Sequence, residues 1–223
     1  MTLSGTFAYA GGSTDQYGTW NSGGPTYNVQ AGGSNIANNQ VTLNNQWSTI
    51  SGKVDSVAGD AAVQGAAAGN LIDITTMNDT RVQNNQIVGP QAAIGSDIST
   101  SISNLGGSVG LSNQVVCNGA SISTDPTLTQ INSNQECHAT DPSALSNLHA
   151  SNITGDVSMQ SSALGNTFEA DSNAPNMPIV QNQLNNSMVA STLNATIHNV
   201  NGSVGLQSSA IGNQGQILHY STN

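Results

Sequence analysis

The residues with chemistry to offer are few and dispersed. His138, His149, His198 and His219 are the chain's four histidines, and no two of them form an HxxxH or HExxH pair. A zinc hydrolase needs two imidazoles on one face, so that class is not read here. Neither a GxSxG elbow nor a phosphate-cradling loop occurs. Asp60 and Asp156 each follow a glycine, yet Ser108 and Ser203 stand at the equivalent places. A carboxylate that a hydroxyl can replace is read as a turn residue. Asp, Asn and backbone carbonyls can hold calcium, but the Gly-rich calcium nonapeptide is missing. No catalytic residue, metal or cofactor is therefore expected. Cys117 and Cys137 remain, the only cysteines. They allow one disulfide and an oxidising compartment, or else two buried free thiols.

The elements that carry these residues are unusual in composition. Of 223 residues only 6% are charged and 4% aromatic, against roughly 25% charged in ordinary domains. Lys53 and Arg81 are the only basic side chains, leaving a formal charge of −10. Such a surface repels phosphates, so neither nucleic acid nor an anionic membrane is expected as partner. No apolar stretch approaches the roughly 20 residues of a membrane span, and residues 1–33 carry no legible secretory signal. Disorder is not implied, because net charge is modest for the length and Val, Ile and Thr recur throughout. A cohesive fold rich in backbone hydrogen bonds is expected.

Order comes from a repeat. GDAAVQGAAAGN (59–70), GSVGLSNQVVCN (107–118), GDVSMQSSALGN (155–166) and GSVGLQSSAIGN (202–213) align without gaps. Their anchors Gly59, Gly107, Gly155 and Gly202 lie 48, 48 and 47 residues apart. Asn-Gln pairs keep the same period at Asn39-Gln40, Asn85-Gln86, Asn134-Gln135 and Asn182-Gln183. Apolar residues precede the glycines at fixed offsets: Ile50, Val54, Val57; Ile98, Ile102, Leu105; Ala150, Ile153; Leu193, Ile197, Val200.

Gly-x-Val-x-Leu alternates as a half-buried strand should. The 4-3-4 cadence of Leu193, Ile197, Val200 and Val204 suits a helix. Gly, Asn, Ser and Thr, all weak helix formers, crowd the same segments. The expected fold is all-β: a β-solenoid of about four 48-residue repeats over residues 34–223, preceded by a Gly- and aromatic-rich N-terminal arm or cap at 1–33. Echoes at 19 to 21 residues (Val63-Gln64 and Val82-Gln83; Met159-Gln160 and Val180-Gln181) suggest two rungs in each unit. Cys117 and Cys137, 20 apart, would then join successive rungs. Glycines of the Gly-Asn pairs (69-70, 165-166, 212-213) are expected at positive φ in corners.

The chain starts and stops at different points of the repeat. Residues 34–58 hold the back of a unit and 202–223 the front. Open solenoid ends are unpaired edges, so head-to-tail self-assembly into a homopolymer is expected. Val41, Ile50, Val204, Leu206 and Ile217 are the expected interface residues. Leu3, Phe7 and Tyr9 would anchor the arm on a neighbour as an added strand; residues 1–33 hold five of the eight aromatics.

The units GDVSMQSSALGN and GSVGLQSSAIGN, with their Asn/Gln-rich connections, resemble bacterial surface β-repeat fibre proteins, in particular the holdfast-anchor and curli-like proteins of Gram-negative bacteria. The resemblance covers residues 34–223, although the 48-residue period is longer than a curlin repeat. It implies export to the cell surface or beyond, self-assembly, and a role in attachment or biofilm matrix, with other surface-anchor proteins or polysaccharide as further partners. A carbohydrate-binding or phage tail-fibre module is the alternative; the repeat region offers it only Trp47, Phe168 and Tyr220 as aromatics. Far-UV circular dichroism should be dominated by strand. More than about a third helix, the average globular share, would overturn this reading.

Overall fold

The computed structural model describes residues 14–15, 18–19, 33–125 and 129–220. Leu3, Phe7 and Tyr9, and most of the expected arm, lie outside the described residues. Two short strands, β1 (Thr14–Asp15) and β2 (Gly18–Thr19), pair antiparallel. Everything after them is a β-solenoid of long parallel ladders, with no helix among the described residues.

Each 48-residue unit is one coil of three strands. The first coil is β3 (Ser34–Thr42), β4 (Gln46–Val57) and β5 (Ala61–Thr76). The second is β6 (Thr80–Val88), β7 (Ala93–Leu105) and β8 (Val109–Thr124). The third is β9 (Thr129–Cys137), β10 (Thr140–Ile153) and β11 (Val157–Ser172). The fourth is β12 (Ile179–Asn185), β13 (Ala190–Val200) and β14 (Val204–His219). Equivalent strands stack in three parallel four-stranded sheets: a first face (β3-β6-β9-β12), a second (β4-β7-β10-β13) and a third (β5-β8-β11-β14). The expectation of two rungs per unit is thereby corrected. Spacings near 20 residues separate one face from the next around a corner, not one coil from the next. Nor is either end a partial coil: cut at the corners instead of at the glycines, the described residues make whole coils.

The coil is flattened. First and second faces pack against the third and not against each other. The long third-face strands bend in the middle, where Val116 pairs with Leu164 and Asn118 with Asn166 while the residue between is skipped. Ahead of the bend Val109 and Leu111 face Ile98, Ile102 and Leu148 of the second face. Beyond it Ala120, Ile122 and Phe168 face Val82 and Ile131 of the first. Between them lies a cluster around Val88, Ile94, Val115 and the two cysteines.

Interior amides tie the layers together. Asn70 donates through Nδ2 both to Oδ1 of Asn118 (2.8 Å) and to the carbonyl of Ile87 (3.0 Å). Asn118 does the same to Asn166 and Glu136, and Asn166 to Asn213 and Leu184. Gln86 and Gln135 form a second ladder, each donating to the Gln of the preceding coil and to a third-face carbonyl. Both hydrogens of each amide are used, which suits near-complete burial. The Asn of each Asn-Gln pair points the other way, into an outer ladder of Asn39, Asn85, Asn134 and Asn182.

Corner chemistry explains two sequence signals. Ser56, Asn104, Asn152 and Asn199 take φ of 54–59° at one stacked position, a region Asn tolerates. That residue slips the alternation by one, so Ile98, Ile102 and Leu105 all point inward at a helix-like 4-3 spacing. The glycines of the Gly-Asn pairs are not at positive φ, contrary to expectation; they occupy the third-face bend. Gly69 and Gly165 meet backbone there: a Cβ at Gly69 would lie 2.6 Å from the Cys117 carbonyl oxygen. The anchor glycines have the same cause. A Cβ at Gly155 would lie 2.7 Å from the Gly107 carbonyl carbon, whereas Gly59, on the first coil, has nothing within 4 Å. Gly155→Ala should therefore cost about 1–3 kcal/mol by overpacking, and Gly59→Ala should be near neutral. Denaturant midpoints of the two variants check this, and equal losses would contradict it.

Candidate attachment and assembly surfaces

The described residues contain no constellation of catalytic type. His149 and His198 approach edge-on on the outside of the second face, ring centroids 6.1 Å apart. His138 lies 3.2 Å from the Glu136 carboxylate, which also accepts from Asn134. His219 donates to the Ala174 carbonyl at 2.6 Å. No group of three or more His, Cys, Asp or Glu capable of holding a metal occurs among the described residues.

Asp60, Ser108 and Asp156 form one ladder at a corner. Ser108 N–H donates to Asp60 (2.7 Å), Asp156 N–H to Ser108 Oγ (3.2 Å) and Ser203 N–H to Asp156 (2.7 Å). Carboxylate and hydroxyl interchange there because each needs only an acceptor oxygen for the next coil's amide. These are turn residues.

Cys117 and Cys137 are joined by a disulfide, Cα atoms 6.0 Å apart. Its placement differs from the expected one. The bridge does not link stacked strands of one sheet; it crosses the interior from β8 of the third face to β9 of the first. Cys117 occupies the bend position held by Gly69, Gly165 and Gly212 elsewhere. It therefore pins the long strand to the opposing layer.

The outer faces are broad and weakly charged. Two shallow grooves cross them. One, about 420 Å³, runs over the third face between Leu71, Asp73, Thr167, Glu169 and Gln214, floored by Gly119. The other, about 450 Å³, runs over the second face past Ser51, Ser99, Asn147, His149 and Asn194. Hydroxyls and amides line both, with the carboxylates of Asp73 and Glu169 and the Phe168 ring in the first and the exposed His149 imidazole in the second.

The two ends are the apolar surfaces. On the last coil Val204, Leu206 and Ile217 are 48%, 51% and 51% exposed, while Val157, Met159 and Ala170, directly beneath them, are 0–1% exposed. They are interior residues without a coil above. Ile50 is their counterpart at the other end, on an inward row with Ile98, and is packed against the core. Val41 is different: it points outward from β3, alongside Ile87. The five described members of the expected interface thus lie on the first and last coils, at opposite ends of the chain. Sequence reasoning missed the outward direction of Val41, since the Asn-Gln pair beside it does not reveal which amide faces in.

Electrostatics are local. Ser103 and Asn104 donate to the Asp55 carboxylate at 2.6 and 2.9 Å. These bonds, Ser103 first, hold its pKa below the ordinary 3.8. A depressed folded pKa contributes stability in full above the unfolded value and loses it as pH falls through the folded one. The Asp55 carboxyl resonance should hence titrate below 3.8, and Asn104→Ala should move its midpoint up towards that value. An unmoved midpoint would show that Asn104 does not stabilise the charge.

Two comparisons, with curated proteins and with solved structures, give no match. A third does: the family model described as holdfast attachment protein D matches residues 55–222. The match runs from the end of β4 through every later coil.

Proposed function

The chain belongs to the holdfast attachment protein D family, and from that premise we propose an extracellular fibre subunit that self-assembles head to tail and serves surface attachment. The family supports an adhesive role at the cell surface over a catalytic one. The half-exposed interior rows of the last coil carry the assembly reading. Stacking a second copy would set its β3, β4 and β5 on β12, β13 and β14, continuing all three sheets. Leu206 would then meet Val63, and Ile217 would meet Ile74. Burying such rows gains roughly 25 cal/mol per Å² of apolar surface, and the open strand edges gain partners.

The amide ladders favour one polarity. Interior glutamines donate backwards, Gln183 to Gln135 at 2.9 Å, so Gln40 of an added copy would donate to Gln183. Because the two ends differ, the contact is heterologous and builds open filaments. Residues 1–33, through Leu3, Phe7 and Tyr9, would supply an arm to the neighbour. The polar outer faces would remain available to other surface-anchor proteins or polysaccharide.

Leu206→Glu and Ile217→Glu place a charge on the proposed junction at positions already half exposed, so the fold should persist. Light scattering of concentrated protein should show polymers for the parent chain and a shift to single chains in both variants. Gln207→Glu, one residue away on the outer side, should polymerise like the parent. A parent chain that stays monomeric, or end variants that polymerise equally well, would overturn the proposal.

A further inference from the structure

An asparagine is followed by a glycine at two places in the chain, Asn118-Gly119 and Asn201-Gly202. A side-chain amide so placed lies close to the next backbone N–H, and glycine, lacking a Cβ, lets the two meet. As sequence the two pairs are alike; the fold sets them apart. Asn118 is fully buried in β8. Its Nδ2 donates to the Glu136 carbonyl at 3.0 Å and to Asn166 Oδ1 at 2.8 Å, and its Oδ1 accepts from Asn70 at 2.8 Å. Gly119 stands in register between Leu71 and Thr167. Turning this amide toward the Gly119 nitrogen would break its hydrogen bonds inside the coil. Asn201 and Gly202 are instead exposed, in the corner between β13 and β14. The Asn201 N–H donates to the Ile153 carbonyl, as Thr154 does to Leu105 and Gly106 to Val57 in the coils below. Thr154 and Gly106 therefore lie beneath Asn201, and no amide ladder forms there to hold its side chain. Two residues earlier the ladder of Asn104, Asn152 and Asn199 does form.

We infer that Asn201-Gly202 is a site of spontaneous modification, and that Asn118-Gly119 is protected from the same reaction by the fold. The Gly202 nitrogen attacks Cγ of Asn201. The new C–N bond displaces the side-chain nitrogen, which leaves as ammonia carrying the Gly202 proton. Water then opens the cyclic imide at either carbonyl, giving aspartate or isoaspartate. Both products put a carboxylate where the chain had a neutral amide, and isoaspartate also lengthens the main chain by a methylene. Stacked coils leave little room for that at this corner. A Cβ at Gly202 would already lie 2.5 Å from the Gly155 carbonyl oxygen, and one at Gly155 2.7 Å from the Gly107 carbonyl carbon. The consequence for assembly rests on the head-to-tail stacking proposed above, in which a second copy sets its Ala58 and Gly59 on Asn201 and Gly202. A modified end would then accept no further copy, and a copy already stacked would shield the site. The modification itself does not require filaments.

Peptide mapping by mass spectrometry, after incubation at neutral pH, reads both pairs in one sample. In the folded protein Asn201 should convert at least about tenfold faster than Asn118, because reaction at 118 waits on an opening of the coil that costs ~1.4 kcal/mol or more. In denaturant with the disulfide reduced the two rates should converge, since only the fold separates the sites. Asn201→Thr, which installs the residue that the third coil carries at this corner, should keep the parent strand spectrum and show no conversion there. Equal rates at 201 and 118 in the folded protein, or a difference that survives unfolding, would overturn the site. The effect on stacking is scored separately by light scattering. Aged parent protein should polymerise less than fresh protein, whereas aged Asn201→Thr should polymerise like fresh; equal losses in both would overturn the effect of modification on stacking. A parent chain that never polymerises would sink the filament reading, and the two conversion rates would still decide the modification site.

Discussion

In-register stacking of one coil on the next is the constraint on which everything else depends. Parallel strands repeat at about 4.8 Å, and the backbone groups of every central strand are satisfied by the coils on either side. Equivalent residues are thereby forced onto one another. A position that closes well against its own kind is rewarded in every coil, and a position that carries charge is penalised in every coil. The scarcity of Lys, Arg, Asp and Glu follows from that geometry, because like charges stacked at this spacing repel.

Amides resolve the same constraint favourably. A carboxamide has a donor and an acceptor on one group, so Asn70, Asn118, Asn166 and Asn213 each give to the next and leave a second hydrogen for the opposing layer. A hydrogen bond of this kind contributes about 0.5–1.5 kcal/mol net, but leaving one partner unpaired in the interior costs about 1–3. The ladder thus disfavours slippage of either layer. The disulfide sits beside it and holds the same two layers together covalently.

The geometry that makes the middle coils cohesive leaves the first and last described coils with a neighbour on one side only. No side chain in the last coil is inherently unusual; Val204 and Leu206 correspond to Val157 and Met159 one coil down. They are exposed only because the ladder stops. Under the proposed head-to-tail stacking, these rows would meet the interior rows of the first coil of another copy. An attachment protein can use this, since load along the axis would be shared by three sheets of backbone hydrogen bonds.

Much of this was legible in the residues themselves. The period, the strand character, the interior rows at Ile98, Ile102 and Leu105 and the surface-attachment family all follow from which residue types recur and how far apart. What must stack on what is written in the residues alone, because a ladder demands equivalence and equivalence is visible as repetition. It could not determine how many strands fill one period. A 19-residue echo looks the same whether it measures a whole coil or one face of a larger one, and the three faces emerge only when the strands pack. The cysteine pair likewise proved to cross between layers, not to join rungs. Tertiary structure decided the glycines too: Gly69 and Gly165 are small to admit a neighbouring backbone, not to adopt positive φ. It also decided which amide of each Asn-Gln pair is buried, since alternation is periodic in sequence but acquires an inside only when a second layer closes over it.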